Sequence, residues 1–192
     1  MSMTFKTACI QNCATPDVAH NLDVTLRLTR AAANAGAQLI CLPEYFSGLE
    51  TRAGLLHPAA FPEESHPVLP AFAEAARELG VWLHLGSLGV TAPDGRILNR
   101  GYVLRPDGGI AARYDKIHLF DVNLGAGKEY RESATIAPGR EAVVVALPWT
   151  AMGLSICYDL RFAALYRNRA HSGARVLAVP AAFTKLTGEA HW

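Results

Sequence analysis

Short apolar runs alternate with amphipathic stretches along this chain. Phe5 to Gln11 is a first strand-like run. Ala19 to Asn34 has a helical period: Leu22, Leu26 and Ala31 to Ala33 fall roughly on one face, and Gly36 stands just past the end as a stop. Ala37 to Leu42 is apolar throughout and ends at Pro43-Glu44, the pattern of a strand covered on both faces. Thr51 to Pro70, rich in Pro, His and Glu, shows no clear period and is expected to be a surface loop with a short helical turn. Val68 to Leu79 predicts a second helix closed by Gly80, and Val81 to Val90 a strand. Asp94-Gly95 and Asp107-Gly108-Gly109 mark hairpin turns leading into strands at Asn99 to Arg105 and Ile110 to Lys116. Lys116 to Pro138 is loop-rich. Strands follow at Glu141 to Leu147 and Met152 to Ile156, then a helix at Leu160 to His171 stopped by Gly173, then a buried strand at Val176 to Pro180.

The order strand–helix–strand–helix, hairpins, strand–helix–strand predicts an α/β fold with a mixed sheet and helices on an outer face. No internal repeat, low-complexity tract or linker interrupts it, so one domain over residues 1–192 is expected. Thr187 to Trp192 reads as a loop entering a helix rather than as a tail, so the chain is expected to lack a C-terminal part.

Composition narrows the classes. Of 192 residues, 51% are apolar and 18% charged, which fits a globular chain with a sizeable core. Lys and Arg number 18 against 17 Asp and Glu, and no basic cluster interleaves with aromatics, so nucleic acid and acidic membrane surfaces are not expected partners. The N-terminus has no signal-peptide core and no apolar run reaches membrane-span length. With only four cysteines, these features predict a reduced, cytoplasmic protein. Neither a metal nor a cofactor is expected. His-Glu-x-x-His is missing, Cys9 and Cys13 have no partner pair, and no Lys follows Gly86-Ser87-Leu88-Gly89 as a phosphate loop needs.

Three residues carry candidate chemistry. Cys157 follows the apolar run Leu154 to Ile156 and precedes a helix start, a turn that exposes a side chain and sets sulfur near a helix N-terminus, where thiolate is favoured. The N–H of Tyr158 there could face a developing oxyanion. Glu44 ends an apolar strand, and Pro43, Tyr45 and Phe46 would keep water from its carboxylate, which suits a general base. Lys116 is a lone cation among apolar neighbours at a strand end, placed to hold an oxyanion. Each has a plain alternative when read alone: an inert buried thiol, a solvated strand-end Glu, a surface Lys paired with Asp115 or Asp121. Convergence of three strand ends, where α/β sheets collect ligands, favours the chemical reading.

The segments Leu42-Pro43-Glu44-Tyr45-Phe46, Tyr114-Asp115-Lys116-Ile117-His118-Leu119-Phe120-Asp121 and Ser155-Ile156-Cys157-Tyr158-Asp159-Leu160-Arg161-Phe162 resemble the three motifs of the nitrilase (carbon–nitrogen hydrolase) superfamily, in its order and spacing. The resemblance implies an α-β-β-α sandwich and a Glu44–Lys116–Cys157 triad. It adds Glu132, in Tyr130-Arg131-Glu132-Ser133, as a second glutamate orienting Lys116 and the substrate nitrogen. Pro180 to Phe183 and Thr187 to Trp192 resemble the branch that hydrolyses ω-amides of 2-oxo acids, which includes deaminated glutathione amidase and ω-amidase. The implied reaction releases ammonia from a small linear amide through a cysteine thioester. Tyr45, Phe183 and Thr184 are placed at the substrate pocket, the last two by positional analogy. A homodimer or higher homo-oligomer is implied for a full-length chain. Ala163-Ala164 departs from the Pro-Glu usual after the cysteine motif. An N-carbamoyl amino-acid amidohydrolase with the same triad, and a fragment that keeps the triad without activity, remain as alternatives.

Overall fold

The computed structural model of the chain describes residues 4–52, 55–92, 94–123, 125, 129–183 and 188–189. It opens with β1 (Thr7–Cys9), α1 (Val18–Asn34) and β2 (Leu39–Cys41). The hairpin β3 (Leu49–Arg52) and β4 (Leu55–Pro58), β5 (Ala60–Phe61) and a 3-10 turn at Glu63–Ser65 lead to α2 (Val68–Leu79). Then come β6 (Trp82–His84), β7 (Leu88–Thr91), β8 (Ile97–Leu104) and β9 (Ile110–Asp115). The hairpin β10 (Asp121–Asn123) and β11 (Glu129–Arg131), a 3-10 turn at Glu132–Ala134 and β12 (Ile136–Ala137) follow. The chain continues through β13 (Val144–Ala146), β14 (Ala151–Leu154), a 3-10 turn at Cys157–Arg161, α3 (Ala163–His171) and β15 (Val176–Ala178).

Period-two burial on the strands builds the layers. β1, β2 and β6 pair in parallel, β8 runs antiparallel to β6, β7 and β9, and the large sheet takes the order β1-β2-β6-β8-β7-β5 with β9 and β12 also on β8. Ile40, Leu83, Tyr102 and Leu104 point to one face and pack with Phe46, Val68, Phe72 and Ala76 beneath α1 and α2. Their sequence neighbours Leu39 and Val103 point to the other face and meet Val145, Met152, Leu154 and Ile156 of the second sheet, β13-β14-β15. α3 covers the far side of β14. The result is the α-β-β-α sandwich. Cutting a fully buried leucine such as Leu83 to alanine would cost about 2–5 kcal/mol, because it leaves a cavity between the large sheet and the helices.

Four stretches differ from the sequence reading. Thr51 to Pro70 is not all loop. It holds part of a hairpin whose register is Leu49↔Pro58 to Arg52↔Leu55, and a two-residue strand on β7. Segments so short leave no readable period. Lys116 to Pro138 likewise contains the β10-β11 hairpin and β12. Val81 to Val90 is a strand interrupted at 85–87: between His84↔Val103 and Leu88↔Arg100 this side takes four steps against three on β8, so one extra residue bulges out. Leu160 to His171 is also subdivided. Phe162 lies at φ -112 and ψ 84, outside helical geometry, so a 3-10 turn ends there and the α-helix begins at Ala163.

Candidate active site

The bulge in the β6–β7 stretch fixes the first functional turn. A Cβ on Gly86 would stand 2.0 Å from the Pro43 carbonyl oxygen, so only glycine lets the bulge press against the end of the β2 run. Ser87 N–H donates to Pro43 O at 3.3 Å, and Tyr45 N–H donates to Ser87 Oγ at 3.1 Å. The chain turns sharply between those anchors, with Tyr45 in the left-handed region at φ 51. Glu44 is thereby held with its side chain 3% exposed.

Cys157 sits on a second such turn. β14 delivers the chain to Ile156, and Cys157 adopts φ 49, the other non-glycine residue in the left-handed region among those described. Its N–H donates to Pro180 O at 2.9 Å, which ties the turn to the end of β15. Asp159 closes it from below, accepting from Ile156 N–H at 3.0 Å. Lys116 follows β9 directly, and its N–H donates to Asn99 O in β8 at 2.9 Å. Glu132 starts the turn after β11, where its Oε2 accepts from Phe120 N–H at 2.6 Å and Asp121 Oδ1 accepts from Ser133 N–H at 2.9 Å.

These segments bring the four predicted side chains together. Lys116 Nζ donates to Glu44 Oε1 at 3.1 Å and to Glu132 Oε1 and Oε2 at 3.1 and 3.0 Å. Glu44 Oε1 also accepts from Asn99 Nδ2 at 2.9 Å, and Glu44 Oε2 accepts from Ala182 N–H at 2.9 Å. The Cys157 thiol lies beside the Glu44 carboxylate and the Ala182 N–H, and both act on it. One ammonium thus serves two carboxylates beside a thiol, in a pocket nearly closed to water.

The charges follow from that count. Burial disfavours a charged Lys116, but Glu44 and Glu132 outweigh it and push the ammonium's pKa above its usual value. Burial and the Glu44 charge raise the Cys157 thiol, with Lys116 opposing them only in part. This corrects the expectation of a thiolate set up by a helix N-terminus. The turn after Cys157 is a five-residue 3-10 segment, and burial, joined by the Glu44 charge, keeps the sulfur protonated. Burial, joined by Glu44, also raises Glu132 despite its bonds to Lys116.

A cavity of about 70 Å³ opens on these groups, walled by Tyr45, Phe120, Tyr130, Ile136 and Phe183, with Leu56, His57 and Pro58 of the β3–β4 hairpin contributing. Of the residues expected at a substrate pocket, Tyr45 and Phe183 line this cavity, whereas Thr184 lies outside the described residues. Tyr158 packs its ring edge-on against Phe120 and Phe162, and its N–H is the next backbone donor after Cys157. The sequence reading missed Asn99, Ala182, Tyr114 and Asp159. Asp159 also accepts from Tyr114 Oη at 2.6 Å and from His118 N–H at 2.9 Å, so it joins the cysteine turn to the lysine loop. Asp159 was visible in the motif, but its role was not.

Residues 6–192 match the family model described as carbon-nitrogen hydrolase. The chain belongs to that family. Among curated carbon-nitrogen hydrolase relatives, omega-amidase NIT2-B of Xenopus laevis is 35% identical over 98% of this chain and 67% of its own length. Deaminated glutathione amidase of Yersinia enterocolitica is 40% identical over 83% of this chain and 56% of its own. The chain thus spans between about half and two thirds of the length of these relatives. Among solved structures, the C. elegans NitFhit protein superposes with a TM-score of 0.86 at 29% identity, covering 98% of this chain and 46% of that one. Saccharomyces cerevisiae Nit3, described as a member of branch 10 of the nitrilase superfamily, gives 0.77 at 25% identity, covering 93% and 64%. Among the described residues no helix is long and apolar enough to cross a membrane.

Proposed function

We propose that this chain hydrolyses the C–N bond of a small linear amide through a thioester on Cys157. The reading rests above all on the division of labour at Glu44, whose carboxylate meets the Lys116 ammonium on Oε1 and stands beside the Cys157 thiol on the same cavity. Glu44 takes the thiol proton as sulfur attacks the amide carbonyl, so the negative charge that opposes thiolate in the resting site passes to the substrate oxygen. Lys116 and the Tyr158 N–H hold that oxyanion, and Glu132 orients Lys116 and the substrate nitrogen. Glu44 returns the proton to nitrogen, ammonia leaves, and Glu44 then activates the water that releases the acid.

The relatives named omega-amidase and deaminated glutathione amidase support the ω-amide of a 2-oxo acid as substrate class. All four cysteines are free, in keeping with a cytoplasmic setting. For the full-length protein a homodimer or higher homo-oligomer is the proposed assembly, to be checked by size-exclusion chromatography with light scattering. The deciding experiment offers 2-oxoglutaramate, deaminated glutathione and an N-carbamoyl amino acid, and measures ammonia, carbon dioxide and the intact mass of the protein. Ammonia without carbon dioxide and an acyl adduct on Cys157 are expected. Cys157→Ala should abolish turnover, and Lys116→Ala should lower it about a hundredfold or more. Ammonia from Cys157→Ala would sink the mechanism; carbon dioxide from the carbamoyl substrate would shift it to the amidohydrolase.

A further inference from the structure

Tyr45 is 2% exposed and walls the reaction cavity, yet its hydroxyl has no hydrogen-bond partner among the described residues. Buried hydroxyls are nearly always paired, because losing water without replacement is costly. The backbone is also strained to put the residue there: φ 51 is a left-handed conformation that a bulky side chain rarely adopts, held by Ser87 and by the Gly86 bulge. Two local costs therefore converge on one side chain that faces the reacting groups.

We infer that the Tyr45 hydroxyl binds the carboxamide nitrogen of the substrate and so helps select amides. The inference rests on the amidase reading above. The choice of nitrogen over oxygen follows from the surroundings. Lys116 is already committed to two carboxylates and is the group on which the carbonyl oxygen would charge up. Tyr45 lines the same cavity as Glu44, Glu132 and Cys157, and burial and these groups act to keep the phenol protonated, so the hydroxyl stands beside the acid–base groups of the site. That is where a leaving nitrogen must collect its proton. A hydroxyl both donates and accepts, so it can take an amide N–H now and donate to the nitrogen lone pair as the carbonyl becomes tetrahedral. Glu132 would hold the second N–H of a primary amide.

The test compares wild type with Tyr45→Phe on a matched pair of substrates, a primary amide and the methyl ester of the same acid. Phenylalanine keeps the ring and removes only the orphan oxygen. The ratio of amide to ester kcat/KM should fall about tenfold, the worth of one hydrogen bond. The Tm should stay at or above that of wild type, since no protein bond is lost. Equal losses on both substrates, an unchanged ratio, or a lowered Tm would overturn the inference. A wild-type protein inactive on every amide would instead overturn the amidase reading, so the two failures are told apart.

Discussion

Asn99 Nδ2 and Lys116 Nζ both donate to Oε1 of Glu44, at 2.9 and 3.1 Å, which makes the two carboxylate oxygens unequal. Oε1 is saturated by an amide and a cation. Oε2 accepts from the Ala182 N–H and keeps a lone pair open towards the thiol. A proton arriving from Cys157 therefore settles on Oε2, because protonating Oε1 would set it against two donors. Asn99 is a positioning residue for the base, and its own Oδ1 is buried without a partner among the described residues. Asn99→Leu should lower kcat about tenfold while leaving KM near its wild-type value, since Asn99 bonds the base but does not line the reaction cavity. Stability should change little, because the orphaned oxygen leaves with the amide. Steady-state kinetics beside urea unfolding would check both; a loss confined to KM would refute the positioning role.

Asp159 should be the most costly single oxygen to remove near the site. Its two oxygens take Ile156 N–H, Tyr114 Oη, His118 N–H and His118 Nδ1, and Arg169 lies 5.0 Å from the Tyr114 ring on the far side. In Asp159→Asn one oxygen becomes a donor, so at least one of these partners is left unmet in a buried place. The expected loss is about 2–3 kcal/mol in urea unfolding. Because the turn that carries Cys157 loosens, iodoacetamide should label Cys157 faster than in wild type. A slower or unchanged labelling rate would mean that Asp159 serves stability alone.

Acid should weaken the fold in two separate windows. Full burial lowers His84 from its usual 6.5 to about 4. Between those values the unfolded chain binds a proton that the folded one refuses, so stability falls as pH drops from about 6.5 to 4, by about 3 kcal/mol in all. Burial would raise Glu63, but bonds to Arg113, Arg100 and Tyr102 prevail and hold it at about 2. Its contribution is present above 4.5 and disappears as pH falls towards 2. Half-exposed partners screen it, so its worth is on the order of 1 kcal/mol. Tm measured from pH 7 to 3 should decline in both windows, and Glu63→Gln should flatten only the lower one.

Much of this site was legible because its parts end apolar strands. Glu44 and Lys116 interrupt or terminate runs whose burial the alternation already announced, and Cys157 follows one. Glu132 needed the family motif, since nothing in Tyr130-Arg131-Glu132-Ser133 marks a buried carboxylate. Asn99 was illegible for a different reason. It sits inside β8 and meets Glu44 across 55 residues of sequence, a contact that only the sheet order creates. Ala182 offers a backbone N–H, so its residue type carries no signal at all. The hairpins at Leu49 to Pro58 and Asp121 to Arg131 escaped because strands of three or four residues at the site's rim have no period to read.

The contact between Gly86 and Pro43 has a consequence for anyone scanning this sequence by saturation mutagenesis. Gly86 touches no substrate and titrates nothing. Yet any side chain there must displace the turn that aims Glu44 and Tyr45, so its substitution profile will be as intolerant as that of a reacting residue. Intolerance at that position will report the shape of the backbone, and functional maps built from mutational sensitivity will place it in the active centre for that reason alone.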